Sequence, residues 1–408
     1  MKKIIALLLT LALTVTVLAA CGSSGSSTTA GTTAAPDTQT TASGGETTTA
    51  DAAATGGSSE ETENLGYKIG FISVAAVGSL FGNCYGSMGM VADGTGIELV
   101  SDIGAVSPED QITSVKNVIS AGADAIVFIN FTEDCLTKIA DVCDEAGVYW
   151  GQFCRDVNTD SVKEYLANSE HYVGRIYNNE EFVAKSALEN FQAEGVTKVA
   201  IVGPATGDVT TDTRDNYFQE HAAEYGIEVV ADVRDLVDAA TATDAVSNIV
   251  ATHADLEGIF CISSSDSRGE GVVNAIDTLG MNGKLKVFMC DFFEGMESYL
   301  EDGTIIGATG GQYPDALFLM LLLINQLHGD SLSADGSPLA LELPYLVVHS
   351  ADELNEYVEL CESGNGYSYN LEECKELIKA YNPDLTLEQF KAVMDAFSIE
   401  DILARKGK

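Results

Sequence analysis

The stretch PEDQITSVKNVISAGADAIVFINFTEDCLTKIADVCDEAGVYWGQF, residues 108–153, decides the fold class. Ile112, Val115, Val118 and Ile119 recur at helical spacing across Pro108 to Ala121, and Leu136, Ile139, Ala140 and Cys143 repeat that pattern across Glu133 to Ala146. Between and after these helical segments lie two short β-rich runs, Ala125 to Ile129 and Val148 to Phe153. The first is apolar throughout, as a parallel strand is when helices cover both of its faces. Helix, strand, helix and strand in immediate succession are the repeating unit of a doubly wound α/β sheet.

The same alternation extends in both directions. Strands are expected at Lys68 to Val74, Glu98 to Ser101, Lys198 to Val202, Glu228 to Ala231, Gly258 to Ile262, Leu285 to Met289 and Ile305 to Ala308, with helical patterns between them. A first series of units ends near Phe153, a connector runs from Tyr172 to Tyr177, and a second series opens with a helix from Asn178. The chain beyond Tyr67 is too long for one ordinary core. The expected architecture is therefore two doubly wound parallel-sheet lobes, joined by three hinge crossings near Tyr172 to Asn178, Gly310 to Pro314 and Leu341 to Val347. Residues 67–175 with 313–341 form one lobe, and 176–312 with 342–360 form the other. Residues 361–408 form a polar, acidic helical tail with no evident role. Such lobes present ligand groups at the C-terminal ends of their strands, facing a shared cleft.

The N-terminus has a different character. Lys2 and Lys3 precede an apolar run from Ile4 to Leu18, which is shorter than the roughly 20 residues that span a bilayer. Leu18-Ala19-Ala20-Cys21 follows, and this arrangement resembles the bacterial lipobox, implying that residues 1–21 are a lipoprotein signal and that Cys21 is the lipid anchor. Residues 22–66 are almost entirely Ser, Thr, Gly and Ala with a few acids, a composition that cannot bury enough apolar surface to order itself. As a flexible coil they reach roughly 35 to 40 Å. The expected location is extracytoplasmic, on the cell membrane.

The net charge of −41 repels phosphate backbones and argues against nucleic-acid binding. Of the nine cysteines, Cys361 and Cys374 bracket a loop and are the candidate disulfide; Cys135 and Cys143 stand too far apart along one helix to bond. No cysteine or histidine cluster suggests a metal, and no cofactor is implied. No Gly-x-Gly-x-x-Gly after a strand, no phosphate loop and no Gly-x-Ser-x-Gly elbow occurs, so the chain reads as a binder rather than an enzyme.

From Tyr67 to Ser350 the chain resembles the type I periplasmic binding proteins, in particular the ribose- and galactose-binding receptors of ABC importers. The markers are spread along it: Ser79-Leu80-Phe81-Gly82-Asn83 after the first strand, Gln111, Gly122-Ala123-Asp124-Ala125-Ile126 with Asn130, Cys154-Arg155 after the fourth, Thr213-Arg214-Asp215-Asn216-Tyr217, Ser265-Asp266 with Gly271, Asp291, and Gln312-Tyr313-Pro314. The resemblance implies a ligand set of Phe81, Phe153, Arg155, Asn178, Arg214, Ser265, Asp266, Asp291, Phe292 and Gln312. Cys154 and Ser265 depart from the family pattern, in which an aspartate and an asparagine contact sugar hydroxyls.

The residues themselves allow a local reading beside this one. Arginine is scarce, and Arg155, Arg175, Arg214 and Arg268 fall at expected strand ends or cleft loops, where a guanidinium fork can grip two hydroxyls or one carboxylate; each can equally pair with a nearby acid. Asp291 can accept from vicinal hydroxyls while Phe292 covers a sugar face, or it can cap a helix. Gln312 suits a ligand or a hinge bond. Asn178 and Asn179 reach the cleft or cap the helix they open, and Glu133 and Asp266 read as helix caps. Phe81, Tyr85, Phe153 and Tyr313 are stacking candidates; Trp150, three residues from Phe153, points to the opposite face and belongs to the core. The implied partners are a small polar, sugar-like ligand, an ABC permease and the membrane through the lipid anchor, with the protein acting as a monomer. The same fold serves a ligand sensor, or a receptor for a nucleoside, an amino acid or an acidic sugar. In this reading Arg214→Ala abolishes binding and leaves the fold intact.

Overall fold

The computed structural model describes residues 64–74, 79–105, 107–361 and 366–407. The signal segment, Cys21 and the linker through residue 63 lie outside these residues. The strands are β1 (Lys68–Ser73), β2 (Glu98–Ile103), β3 (Ala125–Phe128), β4 (Tyr149–Phe153), β5 (Tyr172–Tyr177), β6 (Lys198–Val202), β7 (Glu228–Val233), β8 (Gly258–Cys261), β9 (Lys286–Cys290), β10 (Ile305–Gly310), β11 (Leu339–Glu342) and β12 (Leu346–Val348). The helices are α1 (Ser79–Thr95), α2 (Pro108–Ser120), α3 (Leu136–Ala146), α4 (Asp160–Ala167), α5 (Glu180–Ala193), α6 (Val209–His221), α7 (Ala239–Thr252), α8 (Arg268–Leu279), α9 (Met296–Glu301), α10 (Pro314–Leu327), α11 (Ala351–Cys361), α12 (Leu371–Lys375), α13 (Leu387–Asp395) and α14 (Ile399–Arg405).

Local chemistry explains these units. Helix α2 starts where Ser107 Oγ accepts the Asp110 amide at 3.1 Å, with Pro108 in the first turn and Glu109 and Asp110 beside the positive end of the helix dipole. Helix α3 stops at Gly147, whose left-handed φ of 67° no β-carbon opposes. In β4, Trp150 packs with Phe128 and Tyr172 on one face, whereas Phe153 lies against Phe71 on the other, as the two-residue period of a strand dictates.

The strands form two six-stranded sheets, ordered β11-β5-β4-β3-β1-β2 and β12-β10-β9-β8-β6-β7. All neighbours are parallel except β10 and β12. The chain passes from one sheet to the other three times: from β5 through Asn178 into α5, from β10 through Gln312 into α10, and from β11 through Tyr345 into β12. The architecture is the expected pair of doubly wound lobes with three crossings.

Residues 172–177, read from sequence as a connector, are strand β5. Only alternate residues of β5 are buried, and Gly174 has a φ of 134° with the backbone of Leu339 so close that a β-carbon would meet its carbonyl oxygen at 2.0 Å. That close approach lets β11 pair alongside, and it leaves no apolar run to read. Strands β11 and β12 were likewise not expected; each is short and exists through pairing with a distant partner, β5 and β10 respectively.

The C-terminal helices have a packing role that composition concealed. Helix α10 is buried from Pro314 through Asn325, so it must be covered on every side. One side faces β4 and β5. The tail covers another: Phe318 meets Tyr369 at 5.0 Å and Phe390 at 5.7 Å, and buried Asn325 donates to Leu377 O at 2.9 Å while accepting the Lys379 amide at 2.7 Å. The tail is therefore amphipathic rather than simply polar. The candidate Cys361–Cys374 bridge is not formed: Cys374 is a buried thiol within this packing.

Candidate functional site

In each sheet the winding direction reverses beside the first strand of its lobe, at β2-β1-β3 and at β7-β6-β8. The crevice at such switch points opens beyond the C-terminal strand ends. Backbone strain collects there. Cys154 directly follows β4 with a φ of 56°, Asp291 directly follows β9 with a φ of 76°, and Asp266 and Ser267, in the turn after β8, have φ values of 55° and 62°. Residues without glycine's freedom persist in this region only when surrounding contacts impose it, and such sites concentrate where ligands are held.

Asp291 is the centre of the second lobe's contribution. Its Oδ1 accepts from Gln312 Nε2 at 2.7 Å, its Oδ2 accepts from Ser265 Oγ at 2.8 Å, and its carbonyl accepts from Ser264 Oγ at 2.7 Å. The Ser263 hydroxyl also reaches its Oδ2 at 3.4 Å and the Cys290 thiol its Oδ1 at 3.9 Å. Gln312, on the second crossing, is 5% exposed, and its Oε1 is buried with no hydrogen-bond partner. From the first lobe, the Cys154 thiol faces the Gln312 carbonyl at 3.9 Å, which brings the end of β4 to the same place.

Arg155 stands next to it. Its Nη1 donates to the Cys154 carbonyl at 3.1 Å, its Nη2 lies 3.5 Å from Asp208 Oδ1 in the opposite lobe, and its Nε is buried without a partner. Burial acts to lower the guanidinium pKa, and only the surrounding groups together, Asp208 first and then Cys154, Glu180 and Tyr345, turn the net direction upward. For Asp208, burial raises the carboxyl pKa while Arg155 and the Thr211 amide bring it below the usual range.

A third group fastens the crossings. Arg214 on α6 donates through Nε to Glu180 Oε2 at 2.7 Å, through Nη1 to the Ile262 carbonyl at 2.7 Å and through Nη2 to Tyr345 Oη at 2.8 Å. Tyr345 in turn donates to Glu180 at 3.1 Å. Asn178 on the first crossing donates to the Leu343 carbonyl at 3.0 Å and to Asp315 Oδ1 at 3.3 Å. Burial pushes the Asp315 carboxyl well above the usual range and also lifts that of Glu180.

The structure thus brings Arg155, Ser265, Asp291 and Gln312 to one seam, with Asn178 and Arg214 in the adjoining layer. Phe153 is fully buried, stacked on Phe71 at 5.6 Å, and half-buried Phe81 meets its edge at 6.5 Å. Phe292 packs edge-on to Tyr357 of α11 and close to Gly310. Asp266 lies apart, its exposed side chain paired with Arg268; it makes no cap on α8. Glu133 does not cap its own helix either, because its carboxylate accepts the amides of Asn158 and Thr159 at the start of α4. Arg175 pairs with Asp156 and lies over the Tyr177 ring, and Arg268 is turned inward onto Ser263. Sequence reasoning passed over Asp208, Glu180, Asp315 and Tyr345. Asp208 had a signal: it follows Gly207 and stands three residues before Thr211, the spacing of a helix N-cap. Among the described residues no group of His, Cys, Asp and Glu is arranged to hold a metal ion.

Carboxylate and guanidinium groups from both lobes thus meet along one seam. A family model described as the periplasmic binding protein domain matches residues 88–329. The chain belongs to the periplasmic binding protein family. It is accordingly a binding protein and not an enzyme. Solved structures share its fold. An ABC transporter solute-binding protein from Burkholderia graminis in complex with D-arabinose is 21% identical with a TM-score of 0.61, covering 73% of this chain and 99% of that one. A periplasmic solute-binding protein from Actinobacillus succinogenes with bound D-allose is 18% identical with a TM-score of 0.62, covering 71% and 100%. One from Agrobacterium vitis bound with α-D-tagatopyranose is 19% identical with a TM-score of 0.59, covering 70% and 95%. No curated protein matches the chain. These likenesses show that this periplasmic binding protein shares the fold of those structures over 70 to 73% of its length.

Proposed function

We propose that this protein is an extracytoplasmic receptor, lipid-anchored through Cys21, that captures a small polar solute, a sugar in the first place, between its lobes and delivers it as a monomer to an ABC importer in the same membrane. The observation that carries the reading is the seam itself, where Asp291, Gln312 and Arg155 converge with Gln312 Oε1 and Arg155 Nε still unsatisfied. Buried polar atoms without partners cost free energy and are retained where a ligand completes them. The sugars in the solved relatives support the same class of guest. Binding here is hinge bending of two lobes about their crossings, with no bond made or broken.

A thermal-shift screen of pentoses, hexoses, polyols, nucleosides, amino acids and sugar acids is the first test. A neutral monosaccharide at a hundredfold excess over its Kd adds about 2.7 kcal/mol of stability and raises the melting temperature measurably. If only nucleosides or amino acids stabilise the protein, the sugar reading fails. For the anchor, Cys21→Ser is expected to move the protein from the membrane fraction to the soluble one; retention on the membrane contradicts lipidation at Cys21.

A further inference from the structure

Two arginines border the seam, and free guanidinium groups there would invite a carboxylate or phosphate. Neither is free. Arg214 is tied to Glu180 within the second lobe, and Arg155 faces Asp208 across the gap between lobes. The Arg155 and Asp208 side chains are only 15% and 10% exposed, so their charges are weakly screened.

The position of Asp208 is fixed independently of Arg155. It is the N-cap of α6, and its Oδ2 accepts from the Thr211 amide at 3.2 Å and from Thr211 Oγ1 at 3.1 Å. That double hold leaves Oδ1 directed at the other lobe, and the start of a helix favours the negative charge. A guest carrying its own carboxylate would meet the carboxylates of Asp208 and Asp291, while Arg155 and Arg214 already face Asp208 and Glu180. A hydroxyl guest meets no such repulsion and uses the unpartnered Arg155 Nε. Selectivity commonly depends on such a repulsive element as well as on attraction.

We propose that Asp208 is a specificity-determining residue: by neutralising Arg155 across the seam it clasps the two lobes and makes the site select uncharged polyhydroxyl solutes over their carboxylate counterparts. The selectivity half rests on the receptor reading above; the clasp half does not.

The test uses the full globular protein with Asp208→Asn, which keeps the helix cap and removes the charge, and Asp208→Ser, which caps through a shorter side chain. Calorimetric titrations compare D-ribose and D-galactose with D-ribonate and D-galacturonate. For the unsubstituted protein, the acids are expected to bind at least about tenfold more weakly than a neutral sugar, and in both variants that ratio should narrow by about tenfold or more. Equal binding of acid and sugar by the unsubstituted protein, or an unchanged ratio in both variants, overturns the charge selection. Small-angle scattering without any sugar tests the clasp separately. Both variants should show a larger radius of gyration, and radii equal to that of the unsubstituted protein overturn it. Should no sugar bind to any of the three proteins, the receptor reading fails for sugars while the scattering comparison still decides the clasp.

Discussion

Arg214→Ala is expected to lower stability by about 3 to 5 kcal/mol, because removing one partner of a buried ion pair strands the other charge. Arg214 is 3% exposed and its three guanidinium nitrogens each bond within the chain, to Glu180, to the Ile262 carbonyl and to Tyr345. Without it, Glu180 loses its countercharge and the Tyr345 anchor of the third crossing loosens. The melting temperature should fall by on the order of 10 °C for a body of this size. Sequence reasoning expected this substitution to remove binding and spare the fold; the geometry predicts damage to the fold as well. Glu180→Gln in the Arg214→Ala background should recover part of the loss by removing the stranded charge. A melting curve for Arg214→Ala within a degree or two of the unsubstituted protein, with binding gone, would restore the ligand-contact role and exclude the structural one.

Asp291→Asn is expected to weaken sugar binding by about tenfold to a hundredfold, the scale of one charge-assisted hydrogen bond. Asparagine tolerates the left-handed backbone at this position, where φ is 76°, and keeps one oxygen to accept from Gln312 or Ser265. The fold should therefore persist, with a melting temperature close to that of the unsubstituted protein in the absence of sugar. Calorimetry with the best sugar from the screen measures the loss. Undiminished affinity would remove Asp291 from the binding set.

How far the sequence discloses this molecule depends on how local the determining interactions are. Strands β3 and β8 are buried along their whole length and announce themselves as short apolar runs between amphipathic helices. Strands β5, β11 and β12 depend on remote pairing, and the one at Gly174 is written as a missing side chain rather than as a hydrophobic pattern. The site divides along the same line. Asp291 and Gln312 follow strands and stand out by position and by the family resemblance, and the structure places them in contact. The fastening of the crossings was not legible: Glu180 meets Arg214 across 34 residues, Arg214 meets Tyr345 across 131, and Asn178 meets Asp315 across 137. An acidic composition also hid the tail's role, because the apolar faces of α12 to α14 are small beside their charge, although a helix as uniformly buried as α10 requires a cover.

The strongest test of a guest held between the two lobes is a crystal structure of the protein grown with the sugar that stabilises it most. The account predicts that sugar at the seam, with at least one hydroxyl within about 3 Å of the Asp291 carboxylate and another facing Arg155. A sugar seated on one lobe alone, or away from the ends of β4 and β9, would contradict it.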